Sequence, residues 1–379
     1  MNSPFIYTRP LRPEEVLGRA SSTHWLASNL QKGQHTVLWD HPKTGKTSLI
    51  NKALLHIEKT DRAPVICRLS CYNIRSENAL YAALANALFR QVVNTLGEWE
   101  ALSAALLPLS RPQVFIPRFQ KEAMALIFET PLEAQSVEEL AVFPENLAAH
   151  LNRPLILVLE SFHTLDVSKR MVRLWKKMKG VTFLFSGTGS VHSSGFSVYR
   201  QLFDYGKPFY KFAEYIPLED IEEKEFSDYI IRNFAKAGRV ISKDFAEMII
   251  RKMEGHPYYI QYFSAICFSH TQGYMNDAMF LNGLEELLEI FQQPFEYLCQ
   301  GLSTPQIHFL RAMADNAEQF CSQEVLQKYD LASSAHVHRV RNALEKKNII
   351  ETVRKKPRFI DPLFTLWFKE RFNKTYWIP

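Results

Sequence analysis

The feature that most constrains this chain is the stretch HTVLWDHPKTGKTSLI, residues 35–50. Val37, Leu38 and Trp39 read as a buried parallel strand, Asp40-His41-Pro42-Lys43-Thr44-Gly45 as a turn, and Lys46-Thr47-Ser48 as the opening of an apolar helix. Strand, loop and helix in that order are what a phosphate-binding P-loop requires. Backbone N–H groups of the loop and of the helix N-terminus then face one concavity. Gly45 permits close backbone approach, Lys46 supplies a point charge for the outer phosphates, and Thr47 offers its hydroxyl to Mg²⁺. All nine residues from Asp40 to Ser48 are therefore candidate nucleotide contacts, with ATP and Mg²⁺ as expected cofactors. Asp40 stands where the motif has glycine, and an anion is tolerable beside a triphosphate only if it turns away.

A chain of 379 residues suits two or three domains. Apolar residues make up 46% and charged residues 22%, the balance of a soluble globular protein. No apolar run approaches the roughly 18 residues that span a bilayer, and MNSPFIYTRPLRPEE has no apolar signal core. The five cysteines are scattered. Cys67 and Cys71 lack a second pair or a nearby His, which argues against a metal site. Reduced thiols, a cytoplasmic location and no membrane contact are expected.

Further strands follow the first. APVICRLSC (63–71) reads as a second core strand, Leu155–Leu159 as a third ending at Glu160, VTFLFSGTGS as a fourth ending in Ser186-Gly187-Thr188, and Ala213–Leu218 as a fifth. Between them lie helical patterns at Ser76–Val93, with Ser76 as cap, at Val137–Leu151 and at Ser168–Lys179. Residues 98–135, with four prolines, read as an irregular insertion. Strands alternating with helices predict an α/β fold, a P-loop NTPase parallel sheet over 1–218 with ligand outside the strand carboxyl ends. Four amphipathic helical patterns then predict an all-α lid over 219–300. Three short helices and two strand-like runs joined by a basic turn predict a winged helix-turn-helix over 301–379.

Each strand end carries a candidate. Glu160 stands where a P-loop ATPase holds its metal-associated carboxylate, so Thr47 and Glu160 are the candidate metal ligands. Ser161 follows it where a general base is expected, and a serine hydroxyl is no base at neutral pH. Glu160 must double up, another group such as His163 must substitute, or hydrolysis is slow. Ser186 and Thr188 are placed to hydrogen-bond the γ-phosphate or its water. Residues 331–379 hold eleven Lys and Arg against four Asp and Glu, while the rest of the chain is slightly acidic. His336, His338, Arg339 and Arg341 on the third helix, and Arg354, Lys355, Lys356 and Arg358 in the turn, suit major-groove and phosphate contact with duplex DNA. Winged helices also serve as protein-interaction modules, so a protein partner or self-association stays open.

The full set resembles the prokaryotic STAND clade of P-loop ATPases, specifically the archaeal and bacterial ATPase-domain family related to AAA+ proteins. Gly18-Arg19 is similar to that family's N-terminal Gly-Arg element, DHPKTGKTSLI to its P-loop, and LVLESFHTL to its Walker B segment. PFYKF followed by AEYIPL, and EGHPYYIQYFS, are similar to its later blocks. The resemblance implies that Gly18 and Arg19 lie near the adenine and that His256 reaches the phosphates from the helical domain. It also implies that Lys211 senses phosphate or acts across subunits. Asp40, Glu160-Ser161 and Ala20 depart from the pattern, and binding survives such changes better than turnover. The expectation is an ATP-binding switch, a slow ATPase with Lys46, Glu160 and Lys211 in its catalytic set. The alternatives are a DNA-assembly factor like origin-recognition or transposition ATPases, or a pseudo-ATPase scaffold.

Overall fold

The computed structural model describes residues 3–59, 63–93, 97–106, 113–115, 125–127, 134–191 and 197–373. Helix α1 (Ala20–Gln31) leads into β1 (Thr36–Asp40), followed by α2 (Lys46–Glu58), β2 (Val65–Ser70) and α3 (Glu77–Gln91). Next come α4 (Trp99–Leu106), β3 (Gln113–Phe115), β4 (Ala125–Ile127), α5 (Ala134–Leu151), β5 (Leu155–Glu160) and α6 (Lys169–Trp175). Strand β6 (Val181–Thr188), α7 (Val198–Phe203) and β7 (Glu214–Ile216) complete the sheet domain. Ser76 caps α3 as expected, its hydroxyl accepting from Ala79 N at 3.2 Å. Of the insertion at 98–135, α4, the antiparallel β3–β4 pair and the start of α5 are described, while 107–112, 116–124 and 128–133 lie outside the described residues.

The five long-range strands form one parallel sheet in the order β2-β5-β6-β1-β7. The three central strands β5, β6 and β1 are buried on both faces, which is why each reads as a continuous apolar run, whereas the edge strands β2 and β7 carry exposed residues such as Arg68 and Glu214. Leu155, Leu157 and Leu159 pack on one side of β5, among residues from α3, α5 and α6. Ile156 and Val158 pack on the other, among residues from α1 and α2. Trp39 fills the first side so closely that a Cβ on Gly187, its partner on β6, would lie 2.1 Å from the indole. Because all the strands run one way, Asp40, Glu160 and Thr188 gather at one edge, with β6 between β1 and β5.

Past the sheet run α8 (Glu223–Lys236), α9 (Lys243–Lys252), α10 (Pro257–His270) and α11 (Asp277–Gln300), then α12 (Thr304–Ala314), α13 (Gln323–Lys328) and α14 (Ser334–Lys346). Strands β8 (Ile350–Val353) and β9 (Lys356–Phe359) pair antiparallel, and α15 (Pro362–Asn373) closes the described chain. One apolar core runs from α8 to α15, across the boundary expected at residue 300. Phe295 of α11 lies 5.3 Å from Phe364 and 5.6 Å from Trp367 of α15, ring to ring. Phe5 joins the same core, 5.8 Å from Phe234, so the first residues pack on the helices rather than on the sheet.

The run FIDPLFTLWF corrects one expectation, since from Pro362 onward it is helix and not a second strand. Asp361 Oδ1 accepts from Phe364 N at 3.0 Å, an N-cap, and proline suits the first helical position. Leu363, Phe364, Trp367 and Phe368 recur at helical spacing and are all buried. The wing turn is Arg354-Lys355, with φ of 49° and 70°, the two left-handed residues of a tight hairpin.

Candidate functional site

Strand β1 ends at Asp40, the loop follows, and α2 begins at Lys46. Gly45 has φ 97°, and a Cβ there would lie 2.7 Å from Arg19 Nη1, so the loop needs glycine for its backbone angle and for space. Leu49 N–H is bonded to Gly45 O at 3.0 Å, leaving the α2 amides before it without a helical acceptor. Lys46 is 9% exposed, and its Nζ donates to Asp40 O at 3.0 Å and to His41 O. Burial, with Arg19 nearby, lowers its pKa to about 8 against the pull of Asp40. Asp40 does turn back on its own loop, Oδ1 accepting from His41 N at 2.7 Å.

Arg19 caps the start of α1 in the left-handed region and clamps the loop. Its Nη1 donates to Thr44 O at 2.6 Å and its Nε to Glu219 O at 2.8 Å, just past β7. Gly18, with φ 61°, sits against Glu225 and Ile221 at the start of α8. Ser48 Oγ accepts from Leu11 N at 3.0 Å, tying the N-terminal segment over α2. Under that segment lies a cavity of about 720 Å³, lined by Tyr7, Arg19, Lys46, Thr47, Thr188 and Tyr258 among others. That volume is within the roughly 300–1,000 Å³ of small-molecule sites. A lysine ammonium, the open amides of a helix N-terminus and a neighbouring threonine hydroxyl fit a polyphosphate with its metal ion.

At the far strand end, Glu160 Oε1 accepts from Arg68 of β2 at 2.8 Å, and Arg68 also donates to Asn51 of α2 at 2.5 Å. Glu160 is thus paired with Arg68, not with Lys46. Ser161 is left-handed with φ 54°, and Ser186 is buried on β6. His163 Nδ1 accepts from Thr188 N at 3.1 Å, which joins the turn after β5 to the end of β6.

The loop is also held from the C-terminal side. His41 Nε2 stands 3.2 Å from Glu351 Oε2, on wing strand β8. Glu351 is 1% exposed, and it also accepts from Ser190 Oγ, just past β6, and from Arg358 Nε of β9, each at 2.5 Å. Burial alone would raise its pKa, but His41, Ser190 and Arg358 together hold it down at about 2. His256, at the start of α10, donates from Nε2 to Pro42 O, 3.2 Å away. Its ring lies 4.8 Å from Tyr259, whose hydroxyl donates to Asp361 Oδ2 at 2.6 Å at the cap of α15. Burial lowers the His256 pKa against the pull of Asp361, Pro42 and Asp40. Lys43, with φ 57°, lays its ammonium 3.7 Å from the Tyr258 ring centroid.

Two candidate sets lie elsewhere. Lys211 precedes β7, whose Glu214 pairs with Thr36 at the start of β1, so it occupies the opposite edge of the sheet. The five residues of β1, roughly 17 Å of strand, separate it from the loop, which corrects the expectation that it senses phosphate in its own chain. His338 and Arg339 are exposed on α14, where Arg341 donates to His338 Nδ1 at 3.0 Å. Arg354, Lys355 and Lys356 are exposed at the wing tip, with Lys356 3.5 Å from Glu318.

Comparison with known proteins decides the architecture. Residues 293–370 match a family model described as "Probable winged helix domain". A Walker-type ATPase of Pyrococcus abyssi superposes with a TM-score of 0.63 at 15% identity, covering 96% of this chain and 99% of its own. The fold is that of a P-loop ATPase bearing a winged helix. The Aeropyrum pernix ORC2 protein, solved as ADPNP–ADP complexes, superposes with a TM-score of 0.57 at 10% identity over 96% of each chain. No curated protein matches the chain in sequence. Among the described residues, no helix is long and apolar enough to cross a membrane.

Neither Glu351 nor Ser190 stood out in the sequence. An acid inside an apolar strand, as in IIETV, signals a buried charge that needs a partner, but nothing local names that partner.

Proposed function

We propose that this chain is an ATP- and Mg²⁺-dependent switch of the STAND type. Nucleotide occupancy of the P-loop cavity would decide whether the winged helix stays docked on the sheet domain. The observation that carries this reading is the Glu351–His41 contact, a buried carboxylate of the wing bonded to a residue of the phosphate loop. His256 adds a second link, from Pro42 through Tyr259 to Asp361. A ligand that settles differently in the two arrangements shifts their balance, and the loop is where both arrangements meet.

Slow hydrolysis follows from the strand ends. Glu160 is held by Arg68, Ser161 has no usable basicity, and His163 already spends its acceptor nitrogen on Thr188. Thr47 and Glu160 would hold the metal, in competition with the Arg68 ion pair. The released winged helix would engage duplex DNA through Arg339, Arg341, Arg354 and Lys355. The exposed cations Arg339, Arg354, Lys355 and Lys356 support this reading. The fold likeness to ORC2 also keeps an ATP-dependent DNA-assembly factor as the second reading.

The test is ATP affinity and turnover of the purified chain, with and without duplex DNA, beside Lys46→Ala. Binding that needs Mg²⁺ and Lys46, with slow turnover, supports the switch. No ATP binding with Mg²⁺ present would leave only a scaffold.

A further inference from the structure

Next to Thr188, which lines the cavity, one titratable side chain is fixed in orientation and has a second ring nitrogen so far given no role. His163 follows β5, and its Nδ1 accepts the Thr188 N–H at 3.1 Å. A ring nitrogen that accepts carries no hydrogen, so in the neutral imidazole the proton sits on Nε2. Burial, and secondarily the Lys46 ammonium, lower the His163 pKa and disfavour a second proton. Trp39 braces the ring edge-on, with centroids 6.1 Å apart at 79°. Nε2 makes no hydrogen bond among the described residues. The chain thus holds a neutral N–H donor beside Thr188, which lines the cavity together with Lys46.

Resting on the nucleotide reading, we propose that His163 distinguishes a triphosphate from a diphosphate here, its Nε2–H donating to a terminal phosphate oxygen. The group is a donor and not the missing base, because the only lone pair able to take a proton is held by Thr188. A P-loop lysine and the adjacent strand ends share the outermost phosphate, and a diphosphate offers nothing at that point.

The test is calorimetric titration of the full chain with Mg²⁺ and either ADP or the β,γ-imido analogue of ATP, at pH 7.5. The variants are H163A, H163N and H163Q. Asparagine keeps an acceptor for Thr188 but loses the far donor, whereas glutamine restores a donor near the Nε2 position. Wild type and H163Q should prefer the triphosphate by roughly tenfold, the worth of one hydrogen bond to a charged group. H163A and H163N should lose that preference while ADP affinity stays the same. A preference retained in both H163A and H163N, or equal losses for both nucleotides, overturns the assignment. Failure of the wild type to bind either nucleotide overturns the nucleotide reading itself.

Discussion

Glu351 Oε2 lies 3.2 Å from His41 Nε2, so the wing of the C-terminal domain and the phosphate loop share one buried contact. The carboxylate's other partners, Ser190 and Arg358, come from the sheet domain and from the wing itself. Three segments far apart in sequence therefore meet on one side chain. A buried charge is tolerated only with such a full set of partners. Opening the wing removes two of them, and water must replace them.

The contact has a pH signature. Glu351 is depressed to about 2, below the roughly 4.3 of an unfolded chain. Its contribution, on the order of 3 kcal/mol, is therefore complete above that unfolded value and is lost as pH falls toward 2. Denaturant titrations between pH 5 and pH 2.5 should show Glu351→Gln with a shallower loss of stability than wild type. Parallel curves would contradict the pairing.

Lys46 gives the opposite limb. Its pKa of about 8 means that the cation needed by phosphates disappears as pH rises through that value. ATP affinity should be flat below it and fall roughly tenfold per pH unit above it. Lys46→Arg, if it binds, should stay flat to pH 10, and Lys46→Ala should abolish binding. Titration calorimetry across pH 6.5–9.5 reads both.

Restoring an acid next to Glu160 should raise turnover. Ser161→Glu places a carboxylate where the base is missing, at a left-handed position that costs on the order of 1 kcal/mol. Unchanged turnover with intact ATP binding counts against assigning the end of β5 to the metal and the attacking water.

Much of this was legible beforehand because apolar runs and a glycine-lysine-threonine junction are local signals. The five strands and the helices from 223 to 346 follow from apolar runs and periodicity, and the loop at 40–48 from its glycine-lysine-threonine junction. The last helix is not separable from a strand in the sequence, because DPLFTLWF is too short and too aromatic for its period to decide, and the Asp361 cap settles it in the structure. The Arg68–Glu160 pair could not be read, since adjacency of β2 and β5 is a property of strand order. The same holds for Glu351 and His41. The resemblance implies a phosphate contact for His256; its Nε2 meets Pro42 O of the loop, a contact that depends on how the helical domain sits over the loop.

DNA contact should be electrostatic. Replacing Arg339 and Arg341 by Glu should weaken duplex retention for all sequences and reduce the slope of log K against log salt by about 2. Retention equal to wild type, or none in the wild type at low salt, would assign the winged helix to a protein partner instead.

The most direct measurement of the central claim is hydrogen exchange of β8 and β9, residues 350–359, without nucleotide and with saturating ATP and Mg²⁺. These strands should exchange faster when ATP is bound, with no such change in Lys46→Ala. Unchanged protection of the wing on ATP binding would contradict it.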